Sequence, residues 1–155
     1  MEVIKQSPNV SNSPIKPLGI ILHHSAGSYH SSVDWCLRKE SKVSYHCIVD
    51  LTGDRTILAK DTQRAWHAGK SKFKGKNDCN TFMLGIAVTG DTNKRRLSEF
   101  EIESVSRWCI EKMKLWGFGI DWITTHREVS PGRKSDVSVE AEKQIKEQIS
   151  KILNI

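Results

Sequence analysis

Short apolar runs alternate along this chain with segments whose apolar residues recur every three or four positions. "LGIILHHS" (Leu18–Ser25) is such a run, bounded by Pro17 and by "SAGS", and predicts a buried strand. In "SSVDWCLRKE" the residues Val33, Cys36 and Leu37 fall at helical spacing, with Ser31 or Ser32 available as the cap. "SYHCIVDL" and "RTILAK" flank "TGD", a turn signal, and predict a hairpin. "MLGIAVTG" (Met83–Gly90) predicts another buried strand. Then Ser98 and Glu101 form a capping box, followed by Ile102, Val105, Cys109, Met113 and Trp116 at helical spacing, until Gly117 and Gly119 stop the helix. "DWITTHREV" predicts a strand ending near His126, and a last helix starts near Ser138 with Ile145, Ile149, Ile152 and Leu153 on one side. The alternation predicts a single α/β or α+β domain over residues 18–155, one sheet with helices on its faces. Residues 1–17, without a charged-then-apolar signal pattern, predict a flexible arm and synthesis in the cytoplasm without an export signal.

Composition narrows the class. A chain of 155 residues can bury one proper core but not two. No apolar run approaches the roughly 20 residues that a membrane helix needs, so no membrane insertion is expected. The four cysteines form no CxxC pair. Cys36 and Cys109 sit on apolar helix faces and Cys47 inside a strand, which predicts buried free thiols instead of a disulfide scaffold. The net charge is +6, concentrated in "GKSKFKGK" (Gly69–Lys76), "NKRR" (Asn93–Arg96) and the last helix. Such a surface serves solubility or attracts a polyanion. With no RNA- or DNA-reading motif, a nucleic-acid partner is not expected.

The candidate chemistry lies at two strand ends. His23 closes the first long strand and His126 the last, where loops gather functional groups over a rigid sheet. Asp136 follows His126 by ten residues, across the Pro131–Gly132 turn. Two imidazoles and a carboxylate, with one position left to water, match the ligand count of a catalytic zinc site. Spacing alone leaves open whether Asp136 merely solvates a loop. His24 is the neighbour of His23, and successive residues of a strand point to opposite faces, so only one of them can aim into a cleft.

"ILHHSAG", "VSYHCIVD", "RAWHAGKSKFKGKNDCNTFMLGIAVTG" and "THREVSPGRKSD", in that order over Leu18 to Val139, resemble the type 2 N-acetylmuramoyl-L-alanine amidases. That superfamily includes phage lysozyme-amidases, a bacterial muropeptide-recycling amidase and the animal peptidoglycan recognition proteins. The resemblance implies a central mixed sheet flanked by helices, with one zinc ion in a surface groove held by His23, His126 and Asp136. Phage-type members often use cysteine as the third ligand, but no cysteine follows His126 here, and "PGRKSD" looks like the recycling-type pattern. The resemblance also implies that Lys134 stabilises the oxyanion. Recycling-type enzymes carry a glutamate where this chain has Ala87; phage-type members use a tyrosine, matched here by Tyr45. A phenol with an ordinary pKa of about 10 suits orienting water better than deprotonating it.

The same motifs imply further contacts with a substrate. Trp66, His67 and Asn80 line the groove, His67 bonding the substrate and Asn80 its peptide stem, and Arg133 pairs with a substrate carboxylate. The expected activity is hydrolysis of the amide between N-acetylmuramic acid and L-alanine in peptidoglycan, by a monomer. A Gram-negative phage endolysin is expected, made in the host cytoplasm and released to the periplasm and wall. The recycling enzyme and a binding-only module are the alternatives, although recognition proteins that lost catalysis typically lack the third ligand, which this chain keeps. Some phage lysozyme-amidases also bind their phage's RNA polymerase, a partner the resemblance admits.

Overall fold

A computed structural model describes all of residues 1–155. In chain order its main elements are β1 (Glu2–Ile4), β2 (Val10–Ser11), β3 (Gly19–His24), α1 (Tyr29–Leu37), β4 (Cys47–Val49), β5 (Arg55–Ile57) and β6 (Arg64–Ala65). There follow β7 (Lys72–Phe73), β8 (Lys76–Asn77), β9 (Met83–Val88), α2 (Glu99–Trp116), β10 (Ile123–Thr125), the short α3 (His126–Val129) and α4 (Val139–Leu153). Six strands form one sheet in the order β1-β5-β4-β9-β3-β10. Only the β4–β5 hairpin is antiparallel within it, so the sheet is mixed and the fold is a single α+β domain.

The two-residue period of the strands sorts the core into two faces. Ile20 and Leu22 of β3, with Leu84, Ile86 and Val88 of β9, join the large apolar cluster under α2 and α4. There Val105, Trp108, Cys109 and Met113 meet Ala141, Ile145 and Ile149. Ile21 and Met83, one position out of phase, belong to a smaller cluster on the other face, and Ala87 to a third beneath α1 with Val33 and Cys36. His23 shares the phase of Ile21 and therefore leaves the helical core. That parity, not the identity of the residue, decides which histidine of the tandem pair reaches the site.

Helix ends follow local chemistry. The predicted capping box is present: the Ser98 side chain accepts from Glu101 N–H, Glu101 returns to Ser98 N–H, and Gly117 ends α2 at a φ of 77°. Ser138 caps α4. In α1 the cap is Ser28 and not Ser31 or Ser32, because the helix starts earlier, at Tyr29, and Ser31 N–H is the donor to Ser28. All four cysteines are free and buried.

The expectation of a flexible arm over residues 1–17 is overturned. β1 pairs in parallel with β5 at the sheet edge, and β2 pairs with β6. Asn9 is wholly buried, donating through its amide to the carbonyls of Arg38 and Val43 at 2.9 Å each. Ile15 enters the large cluster. The segment is polar in sequence because backbone pairing and buried amide bonds hold it, leaving little apolar pattern to read.

Candidate metal centre

β10 lies parallel to β3 with Thr125 opposite Leu22. The next residue on each strand is a histidine, so the register sets His23 and His126 side by side at the strands' C-terminal ends. There α3 begins, with Thr125 as its cap. The chain then turns through Gly132, whose φ of 78° favours glycine, and comes back. Arg127 ties the return down: its N–H donates to the Asp136 carbonyl at 2.6 Å and its Nε to the Val137 carbonyl at 3.1 Å. Asp136 thereby lands between the histidines, and His24 N–H also donates to its Oδ2 at 3.3 Å. All three side chains are buried, and their donor atoms lie within 4.8 Å of one another.

The proton arrangement can be read from the outer ring nitrogens. His126 Nε2 lies 2.9 Å from the Ala68 carbonyl, which can only accept, so that nitrogen carries the hydrogen and Nδ1 is a bare lone pair. His67 Nε2 likewise meets the Met83 carbonyl at 3.0 Å, which leaves His67 Nδ1 to accept from His23 Nε2 at 2.9 Å. His23 Nδ1 is then a lone pair too. The two Nδ1 atoms face each other at 3.1 Å, with Asp136 oxygens at 3.4 Å from His23 and 3.3 Å from His126. Two lone pairs and an anion converging in a buried space repel one another unless a cation sits among them. A tetrahedral ion bonded at about 2.0–2.1 Å separates its ligand atoms by about 3.3 Å, which the observed spacing matches. The residues fit a metal ion.

Electrostatics agree with that arrangement. Burial pushes His23 down to about 4, so it is neutral and able to ligate at neutral pH. His67, buried beside His23 and His46, falls well below its ordinary value. Burial alone would raise Asp136, but positive charge at the neighbouring His126 and His23 rings outweighs it and holds the carboxyl well below the usual range, a charge that a cation would supply where both imidazoles are neutral.

The other residues singled out in the sequence take varied places. His67 is not free for a substrate: both ring nitrogens are engaged inside the protein, and it orients His23 as an outer-shell partner does. Asn80 works behind it, its Oδ1 accepting from the N–H groups of His67 and Ala68 at 3.1 and 2.9 Å. Trp66 spends its indole N–H on Ser11 at 2.7 Å. One nitrogen of Arg133 is committed to the Ala68 and Lys70 carbonyls, so its first task is to hold the loop beside His126. Lys134 is exposed, with no partner on its ammonium. Tyr45 lies with its ring 5.1 Å from that of His23, and burial raises its phenol further, so it remains a hydrogen-bond donor. Ala87 is fully buried in the small cluster with Val33, Cys36, Ile48 and Leu58, so no acid faces the site there. His24 points away, its Nδ1 accepting from Thr92 N–H at 3.1 Å.

Two supporting features escaped the sequence reading. The carbonyls of Ala68 and Met83, which fix both imidazoles, are backbone groups and leave no signature. Gly85 did leave one: a glycine inside "MLGIAV" marks a close approach. A Cβ there would sit 2.5 Å from the His67 ring.

Comparison with known proteins decides the family. The model of the N-acetylmuramoyl-L-alanine amidase family matches residues 13–138. The chain belongs to this amidase family. Among curated relatives, the 1,6-anhydro-N-acetylmuramyl-L-alanine amidase AmpD of Haemophilus influenzae is 34% identical over 98 residues, covering 63% of this chain and 53% of the relative. The chain thus spans about half the length of the curated relatives it matches. The amidase fold itself recurs in solved structures at lower identity. A crystal structure of AmpD gives a TM-score of 0.76 at 18% identity over 93% of each chain. The endolysin amidase LysCS from Clostridium intestinale gives 0.70 at 16%, over 100% of this chain and 96% of that one.

Proposed function

We propose that this chain is a zinc-dependent hydrolase of the amide between N-acetylmuramic acid and L-alanine in peptidoglycan. The observation that carries the reading is the buried His23–His126–Asp136 cluster, with both Nδ1 lone pairs aimed inward at the spacing of a tetrahedral ion. Zinc held there would bring the pKa of a water towards about 7 and polarise the scissile carbonyl. The chain's own residues would do the rest. Tyr45, kept protonated by burial, donates a hydrogen bond that orients the attacking water. Lys134, on the loop that ends at Asp136, brings a cation to the developing oxyanion. His67 and the Ala68 carbonyl hold the imidazoles in their metal-binding tautomer. The test is to incubate purified protein with peptidoglycan, with and without a chelator, and to weigh the released peptides. Stem peptides freed only without chelator support the reading; intact peptidoglycan in both arms sinks it.

In biological role we favour an endolysin. Lys70, Lys72, Lys74 and Lys76 crowd one exposed hairpin, a charge pattern suited to a polymer bearing stem-peptide carboxylates. The likeness to AmpD of Haemophilus influenzae favours the second reading, a recycling amidase acting on soluble anhydro-muropeptides. Clearing of intact sacculi that fades with salt supports the first. Strong preference for the monomeric anhydro compound supports the second.

A further inference from the structure

Residues 1–12 precede the stretch that the amidase family model matches, residues 13–138, yet they reach the back of the site. They meet two residues, Ser44 and Trp66, and the next residue after each carries a ring set against His23. Tyr45 follows Ser44, its ring 5.1 Å from that of His23 and tilted by 59°. His67 follows Trp66 and accepts from His23 Nε2 at 2.9 Å.

The bonds between the N-terminal arm and these two residues close on themselves. Ser44 Oγ donates to the Asn9 carbonyl at 2.6 Å and accepts from Trp66 N–H at 2.9 Å. Ser44 N–H donates in turn to the Trp66 carbonyl at 3.0 Å, and the Trp66 indole N–H reaches Ser11 Oγ at 2.7 Å. Beside them β2 pairs with β6, Ser11 standing opposite Arg64. The buried Asn9 amide donates to the carbonyls of Arg38 and Val43 and so seats the segment that leads into Ser44. Residues 42–45 belong to no helix or strand, so no backbone ladder fixes their path. The Tyr45 ring packs against the small cluster that holds Val33, Cys36 and Leu58. Apolar packing is non-directional and does not by itself set where the phenol stops. Hydrogen bonds do constrain distance and angle, and here the arm supplies them. A misplacement of about 1 Å at a reacting group can cost about 10²-fold in rate. We propose that the arm is a clasp which, through Asn9 and Ser11, holds Ser44 and Trp66 and thereby positions Tyr45 against His23 for turnover. This rests on the role given to Tyr45 in the amidase reading above.

The test uses the zinc-loaded full chain with an N-acetylmuramoyl peptide as substrate. Ser11→Ala removes the acceptor of the Trp66 indole and leaves the buried Asn9 seat intact. It is expected to lower kcat about tenfold, with KM changed by less than about twofold and one zinc per chain retained. Ser11→Thr, which keeps the hydroxyl, should restore kcat. In a Tyr45→Phe background Ser11→Ala should leave kcat unchanged, because the hydroxyl that the clasp positions is already gone. No loss in the wild-type background, or a loss of equal size in the Tyr45→Phe background, would overturn the clasp. Fluorine NMR of protein labelled with 3-fluorotyrosine reads the position without turnover. The chain has two tyrosines, Tyr29 and Tyr45, and Tyr45→Phe assigns their signals. Ser11→Ala should move the Tyr45 signal and leave that of Tyr29 in place; two unmoved signals would also overturn the clasp. If the wild type cleaves no muramoyl peptide, the amidase reading itself has failed, and the fluorine signals alone then decide whether the arm positions Tyr45.

Discussion

The two faces of the central sheet use the same strands for opposite ends. Towards α2 and α4, alternate residues of β3 and β9 are Ile20, Leu22, Leu84, Ile86 and Val88, all in one large apolar cluster. On the other face, the intervening positions are Ile21 and His23 on β3, and Met83, Gly85 and Ala87 on β9, a mixture of small, polar and apolar groups of which Ile21 and Met83 join one smaller cluster and Ala87 another. The helical face supplies the free energy that keeps the strands in register. The other face spends that register on aligning His23 with His126. Buried imidazoles and a buried carboxylate are costly without partners, so this face is held by hydrogen bonds to backbone carbonyls and, in the proposed function, would be completed by a metal ion.

The division is testable by substitutions that should affect one face only. The largest effect is expected at a ligand. His126→Ala leaves two donors, and zinc measured by metal analysis should fall from one per chain to below about a tenth, with turnover lost. The variant should still fold, since the helical cluster is untouched. Stoichiometric zinc in His126→Ala would remove that residue from the proposed ligand set.

Next comes the opposite face. Ile149 is fully buried between α4 and α2, and truncating it to alanine should cost about 2–5 kcal/mol in denaturant unfolding. Metal affinity of the folded fraction should stay as in the wild type. A matching loss of zinc affinity would show that the two faces are not energetically separable.

Lys134→Ala addresses chemistry alone. Its side chain is exposed and touches nothing polar, so neither stability nor metal content should change. Removing an oxyanion donor is expected to lower kcat by about 10²–10³. Near-normal kcat on peptidoglycan would return Lys134 to the role of a solvated loop residue.

How much of this could be read in advance follows the same division. Apolar periodicity exposed the helical face almost completely: the Ser98–Glu101 box, the Gly117 stop and the Ile145–Ile149 stripe are all where the pattern put them. Motif order likewise brought His23, His126 and Asp136 into one group, which the structure gathers in space. What failed was held by bonds that hydrophobic pattern does not encode. Residues 1–17 are fixed by strand pairing and by the Asn9 amide, and so passed for a loose arm. His67 sat in a motif that suggested substrate contact, yet carbonyl geometry visible only in three dimensions turns it towards His23.

The smallest effect concerns acid, and it separates the site face from the helical face without any change at the metal. His46 lies fully buried, donating Nε2–H to the Gln63 carbonyl at 2.8 Å while Nδ1 accepts from Gly85 N–H at 3.0 Å. Both contacts suit the neutral ring, and burial lowers its pKa to about 4. In the unfolded chain the value returns to about 6.5. The unfolded state therefore takes up the proton first as pH falls. The stability that neutral His46 contributes is complete above about 6.5, declines through the interval, and reaches its floor near 4. Within that window the slope contributed by one histidine approaches about 1.4 kcal/mol per pH unit. Denaturant unfolding of metal-free protein across pH 4 to 7 should show it, and His46→Asn should flatten the curve by the equivalent of one proton. An unchanged slope in that variant would mean that His46 binds its proton equally in the folded and unfolded states, so that burial does not hold the ring neutral.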